Sequence, residues 1–130
     1  MGPIPPEFAG QTGELVIGGQ AASVWAEAGT PVFVYDPAIV AARVARFRAG
    51  FPGVDLHYAI KANPLWSLLH TVAPMVDGLD IASRGEMVRA LENKDSRAIS
   101  FAGPGKRDEE LTAAIGAGVT INLESEGEAE

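Results

Sequence analysis

From residue 55 onward, apolar stretches and amphipathic stretches alternate with a period of about twenty residues. Strand candidates fall near 55–60, 78–82, 98–102 and 119–123. Between them come helical patterns: Leu65, Leu68, Leu69 and Val72; then Met87, Val88 and Leu91; then Leu111 and Ile115. This alternation predicts parallel βα units, because parallel neighbours need a crossover and a helix supplies it. The units share no visible sequence similarity, so the period is structural and not that of a solenoid.

Alternation within the strands narrows the architecture. Leu56, Tyr58 and Ile60 share one face of the first strand, and His57, Ala59 and Lys61 the other. The second places Leu79 and Ile81 against Asp80 and Ala82, and the third Ile99 and Phe101 against Ser100 and Ala102. The fourth places Val119, Ile121 and Leu123 against Thr120, Asn122 and Glu124. Buried parallel strands ordinarily read apolar on both faces. Here one face suits packing under helices, and the other is small or polar throughout. The pattern predicts an α/β fold, a partial TIM (β/α)8 barrel whose inner face is kept for something other than plain core. An open sheet with one wet face is the plainer alternative.

The first thirty residues differ. "MGPIPPEFAGQTG" is rich in Pro and Gly and reads as a loose lead-in. "ELVIGG" is a short strand candidate, and Ala21, Val24, Trp25 and Ala28 have helical spacing closed by Gly29. "PVFVY" reads as a strand, and Asp36-Pro37 as an N-cap with proline at the first helical position. The helix after it puts Val40, Val44, Phe47 and Phe51 on one face. The expected division is therefore residues 1–30 as a lead-in segment and 31–130 as the N-terminal half of a βα barrel.

Composition excludes several functions. The net charge of -7 argues against a nucleic-acid partner, since neutralising phosphates needs clustered Lys and Arg. The chain has no cysteine, so thiolate metal sites and cysteine nucleophiles are out, and two histidines do not make a His-rich metal site. No apolar run reaches the roughly 18 residues of a membrane span, and the default setting is cytoplasmic. His57 reads as a satisfied core histidine, and His70 as an exposed or packing residue on a helix. The terminal "LESEGEAE" reads as a solvated helix start and not a metal site.

The stretch "HYAIKANP" carries Lys61 to the C-terminal end of its strand on the small, polar face, and Asp80 lies on the matching face of the next. Strand C-termini are where catalytic groups gather in βα barrels. An interior lysine is costly as a cation, which favours a neutral, nucleophilic amine able to condense with carbonyl compounds. Asp80 would pair with that amine and orient it. A structural interior ion pair fits the same spacing.

Four motifs extend this reading: "YAIKANP" (58–64), "GLDIASRGEM" (78–87), "FAGPGK" (101–106) and "INLESEGE" (121–128). Their order and spacing resemble the fold-type III, alanine-racemase-like decarboxylases that use pyridoxal 5'-phosphate (PLP), in particular the diaminopimelate and ornithine decarboxylase group. "DGLDIASRGEM" and "FAGPGK" resemble the branch associated with exosortase A systems. The resemblance runs from about residue 14 to the end. It implies that Lys61 holds PLP as a Schiff base, with Asp80 beside it as the second catalytic residue. It also implies that Ala59 lies beneath the cofactor and that Glu86 stands near it. The implied substrate is a small-molecule amino acid of the diaminopimelate or ornithine kind, and the implied assembly a homodimer.

The lysine is followed by "ANPLW" and not by the A-x-A-Y-G-x-G of alanine racemases, which favours decarboxylation. An amino-acid racemase or PLP carrier, and a non-catalytic decarboxylase-like regulator, remain as alternatives. A complete barrel takes about 250 residues, and the family's phosphate cup and ring-nitrogen acid have no counterpart among these motifs. The chain is therefore expected to be an N-terminal part that alone neither binds PLP tightly nor turns over. "ELVIGG" is expected to lack a strand partner, and Asn93 to cap its helix where the family commonly has glycine.

Overall fold

A computed structural model describes residues 5–130, so the first four residues of the lead-in lie outside the described residues. β1 (Val16–Ile17) and β2 (Gln20–Ala21) pair as an antiparallel hairpin. "ELVIGG" is thus paired after all, because its own Gly18-Gly19 makes the turn. Both glycines have positive φ, 60° and 77°, as a tight hairpin turn that matches strand twist requires. The Gln11 side chain doubly bonds Val16, accepting its N–H at 2.8 Å and donating to its carbonyl at 3.2 Å. The lead-in is also less loose than its composition implies, since Glu7 accepts a hydrogen bond from Arg43 at 2.7 Å.

α1 (Ala22–Ala26) is shorter than its apolar spacing predicts, and Trp25 turns its indole N–H to the Ile17 carbonyl at 3.0 Å. Residues 31–35 form no strand. They have no ladder to join, and Phe33 is 84% exposed, stacked only on Tyr35. α2 (Pro37–Gly50) begins where expected: the Asp36 carboxylate accepts the Ala38 N–H at 2.8 Å, with Pro37 in the first turn. Its Val40 and Val44 pack on the core, and Phe47 meets Phe51 at 4.9 Å between ring centres.

The main sheet contains β3 (His57–Ala59), β4 (Gly78–Ile81), β5 (Ile99–Phe101) and β6 (Thr120–Ile121), all parallel in that order. α3 (Trp66–Val72), α4 (Arg84–Leu91) and α5 (Asp108–Ala117) cross between them. The register aligns Ala59, Asp80, Ser100 and Thr120 in one row, and Tyr58, Leu79 and Ile99 in the next, facing the other way. Leu79, Ile81, Ile99, Phe101 and Val119 are buried under the helices with Leu69, Val72, Met87 and Ala90. The expected sorting of the two faces therefore holds, except that Leu123 is exposed beyond the end of β6.

Two helices rotate relative to their predicted faces. α4 buries Met87 and Ala90 and leaves Val88 and Leu91 exposed, because Ala90 admits a close approach to the sheet. α5 buries Glu110 and Ala114, which turns Ile115 outward. Glu110 sets that rotation. Its Oε1 accepts the Arg84 N–H at 2.9 Å, and its Oε2 accepts the N–H of Arg107 at 3.3 Å and its guanidinium at 3.2 Å. One carboxylate thus serves the first turns of both α4 and α5, where backbone N–H groups lack helical partners. At the other ends, Gly118 closes α5 in the left-handed conformation (φ 72°, ψ 28°). Asn93 caps α4 with its side chain, donating to the Arg89 carbonyl at 2.9 Å.

The Arg84 amide, then the Arg107 guanidinium, hold the Glu110 carboxyl below its ordinary range. A depressed carboxyl contributes stability that is present above the unfolded value, about 4.3, and lost as pH falls through the folded one. Glu110→Gln is expected to lower stability at pH 7 and to flatten its decline on acidification below about pH 4.5. Urea unfolding across pH checks both.

Candidate active site

Parallel strands bring all their C-terminal ends to one edge of the sheet. There, Ala59, Lys61, Asp80, Ala82, Ala102 and Gly103 surround a cavity of about 110 Å³. Larger depressions lie beside Phe8 and Leu15 (about 360 Å³) and between His70, Pro74 and Asn93 (about 240 Å³). Neither includes a lysine or the end of a main-sheet strand. The chemistry converges on the smaller cavity.

Lys61 leaves β3 on a 3-10 turn (Ile60–Ala62) whose first residue, Ile60, is fully buried and anchors it. Tyr58 donates its hydroxyl to the Asn63 carbonyl at 3.1 Å, and the Asn63 side chain accepts the Leu65 N–H at 2.9 Å. Burial pushes the Tyr58 phenol above its ordinary range, so it stays a donor. Within "YAIKAN", then, Tyr and Asn brace the turn that presents the lysine.

Lys61 itself is exposed and makes no ion pair among the described residues, contrary to the expected interior pair with Asp80. Four strands leave the inner face of the sheet open, so the Lys61 side chain reaches solvent. Asp80 is instead met by His57, Nδ1 to Oδ1 at 3.2 Å. A carboxylate only accepts, which places the imidazole proton on Nδ1. His57 is thus no core histidine but the residue that orients Asp80. Its ring lies over Gly78, where a Cβ would stand 2.3 Å from His57 Cε1 and 2.6 Å from the Ala98 carbonyl oxygen.

Glu86 braces the wall from behind. Its carboxylate accepts the Ala82 N–H at 2.7 Å, while Ser83 accepts the Glu86 N–H at 3.2 Å as the N-cap of α4. His70 lies on the outer side, stacked on Trp66 at 5.3 Å and 3.2 Å from Asn93. In the C-terminal acidic run, Glu124, Glu126 and Glu130 are exposed as expected, and Glu128 is the exception. Glu128, in a 3-10 turn (Glu126–Glu128), pairs with Lys106 at 3.0 Å, both side chains nearly inaccessible. Sequence reasoning missed the His57–Asp80 and Lys106–Glu128 contacts. For the first, a signal existed in Gly78, the one position of β4 without a side chain.

A sequence profile described as "Pyridoxal-dependent decarboxylase, pyridoxal binding domain" matches residues 38–130. The chain belongs to that family. It is 37% identical over 121 residues to a diaminopimelate decarboxylase of Pseudomonas fluorescens, covering 89% of this chain and 29% of that enzyme. A Staphylococcus aureus 2-[(L-alanin-3-ylcarbamoyl)methyl]-2-hydroxybutanedioate decarboxylase is 36% identical over 95 residues, 72% of this chain and 24% of its own length. The chain spans less than a third of either curated relative. Among solved structures, diaminopimelate decarboxylase from M. jannaschii in co-complex with L-lysine superposes with a TM-score of 0.75 at 30% identity, over 85% of this chain and 28% of that one. The four-stranded sheet is accordingly the N-terminal part of this family's TIM-barrel domain, an outcome the strand pattern anticipates.

Among the described residues, no helix is long and apolar enough to cross a membrane. No group of three or more His, Cys, Asp or Glu there is placed to hold a metal.

Gly78→Ala is expected to destabilise the fold by about 1–3 kcal/mol, since the His57 ring can swing aside but the Ala98 carbonyl cannot. It should also lift His57 off Asp80. Urea unfolding and the imidazole NMR titration of His57 report the two effects.

Proposed function

We propose that this chain forms the lysine-bearing part of a PLP-dependent amino-acid decarboxylase acting on a diaminopimelate-like substrate. The observation that carries the reading is a comparison of the lysines in the sequence, Lys61, Lys94 and Lys106. Lys94 donates to the Val76 carbonyl at 2.8 Å, and Lys106 is sequestered against Glu128. Lys61 alone among them presents an amine without a protein partner among the described residues, and it does so in a cavity floored by alanines.

The residues present fit the cofactor's ring and aldehyde. Ala59, Ala82, Ala102 and Gly103 project nothing bulky, which suits a flat ring, and Lys61 is the amine that would condense with the aldehyde. When bound, PLP supplies an electron-poor ring that takes up the electron pair left as a substrate loses its α-carboxylate. The chain's own residues do the rest. Lys61 would hold the cofactor through its amine. Asp80, steadied by His57, lines the same cavity and is the carboxylate that would exchange a proton with the Lys61 nitrogen. Glu86 contributes by fixing the Ala82 amide at the cavity wall.

The substrate class rests on the relatives. Diaminopimelate and the Staphylococcus aureus compound share an α-amino-acid head separated from a second, charged region. A homodimer in the cytoplasm, with residues 1–30 as a lead-in to a barrel half at 31–130, completes the proposal.

The test uses the full-length gene product, incubated with PLP, reduced with borohydride and mapped by peptide mass spectrometry. The label is expected on Lys61 and absent in Lys61→Ala. Asp80→Asn should keep the label and lower carbon dioxide release from diaminopimelate by about 100-fold or more. Labelling at Lys94 or Lys106 instead, or no carbon dioxide from wild type, would overturn the reading.

A further inference from the structure

One wall of the cavity is a single glycine held from both sides. Gly103 has φ 116°, a conformation side chains rarely allow, and its N–H donates to Glu124 Oε1 at 2.6 Å. Its carbonyl accepts from the Lys106 ammonium at 2.8 Å. The same ammonium pairs with Glu128 Oε2 at 3.0 Å, and that oxygen also accepts the Glu124 N–H at 2.8 Å. The ring closes: Gly103 to Glu124, Glu124 to Glu128, Glu128 to Lys106, Lys106 back to Gly103. Lys106 further lies 5.9 Å from the centre of the fully buried Phe101 ring, so the clamp stands on the core.

We propose that Lys106, Glu124 and Glu128 are positioning residues that fix the backbone at Gly103 as the cofactor-facing wall of the cavity. The proposal rests on the reading that this cavity takes PLP. Its argument is one of placement. The loop after β5 has no strand partner of its own at Gly103, yet it borders the Lys61 cavity. Charge-assisted hydrogen bonds are short and strong, and one on each of the two peptide units flanking the Gly103 Cα fixes its φ and ψ as a neutral turn would not. A pair kept only for stability would need neither contact to Gly103. A buried ion pair gives little net stability, and apolar replacements of similar volume often serve as well. Here the ammonium and one carboxylate each spend a bond on the same pocket-lining glycine.

The test is made in the full-length gene product, with two readouts. The first needs no cofactor: the Gly103 amide proton, in selectively labelled protein, should resonate far downfield and move upfield in Glu124→Gln. The second is PLP affinity, expected to weaken about tenfold, or about 1.4 kcal/mol, in Glu124→Gln and in Lys106→Met. Lys106→Met/Glu128→Leu guards against simple unfolding. It should recover the stability lost in Lys106→Met without recovering affinity, because the Gly103 carbonyl still lacks its donor, whereas Lys106→Arg should recover part of both. An unmoved Gly103 resonance, or a moved one with unchanged affinity, would overturn the clamp. Failure of wild type to attach PLP at Lys61 would overturn the underlying function instead, and the Gly103 resonance would still read the clamp.

Discussion

The in-register pairing of β3, β4 and β5 is the constraint from which the other features follow. With Ala59 beside Asp80 and Asp80 beside Ser100, every bulky apolar side chain of these strands is committed to the helical face. A slip of one residue would turn Leu79, Ile81, Ile99 and Phe101 toward water and bury Asp80. The same pairing delivers the strand C-termini to one edge, so Ala59, Lys61 and Asp80 collect there without any dedicated scaffold.

At that edge the connections after the strands are tied by carboxylates to backbone amides. Glu86 takes the Ala82 N–H, Glu124 takes Gly103, and Glu110 takes both Arg84 and Arg107. Asp77 does the same on the opposite side, accepting the Leu56 N–H at 2.8 Å. That amide first, and then Arg48, hold the Asp77 carboxyl below its ordinary range. Several of the chain's carboxylates therefore fasten backbone while remaining in contact with solvent, and Glu110 does so from a buried position. This also explains how short strands carry a defined site.

What the sequence made legible followed from period. Strand order, the two faces, the Asp36 cap and the gathering of Ala59, Lys61 and Asp80 all follow from alternation and spacing. The failures have separate physical causes. Residues 31–35 have strand composition but no partner to pair with. The rotation of α5 is set by Glu110, a charged residue whose burial no apolar count anticipates. His57 and Asp80 are 23 residues apart, and Lys106 and Glu128 are 22 apart. Such contacts between successive βα units depend on register, which composition alone does not fix.

The sequestration of Lys106 has a consequence for chemical selectivity. Carbonyl compounds react with any accessible amine, sugars and metabolic aldehydes included, and a lysine near a cofactor pocket is exposed to that hazard. With its nitrogen engaged by Gly103 and Glu128 and closed off from solvent, Lys106 is poorly placed for such attack. Two amines that border the same sheet edge are thereby made chemically distinct, Lys106 engaged and enclosed and Lys61 open to solvent.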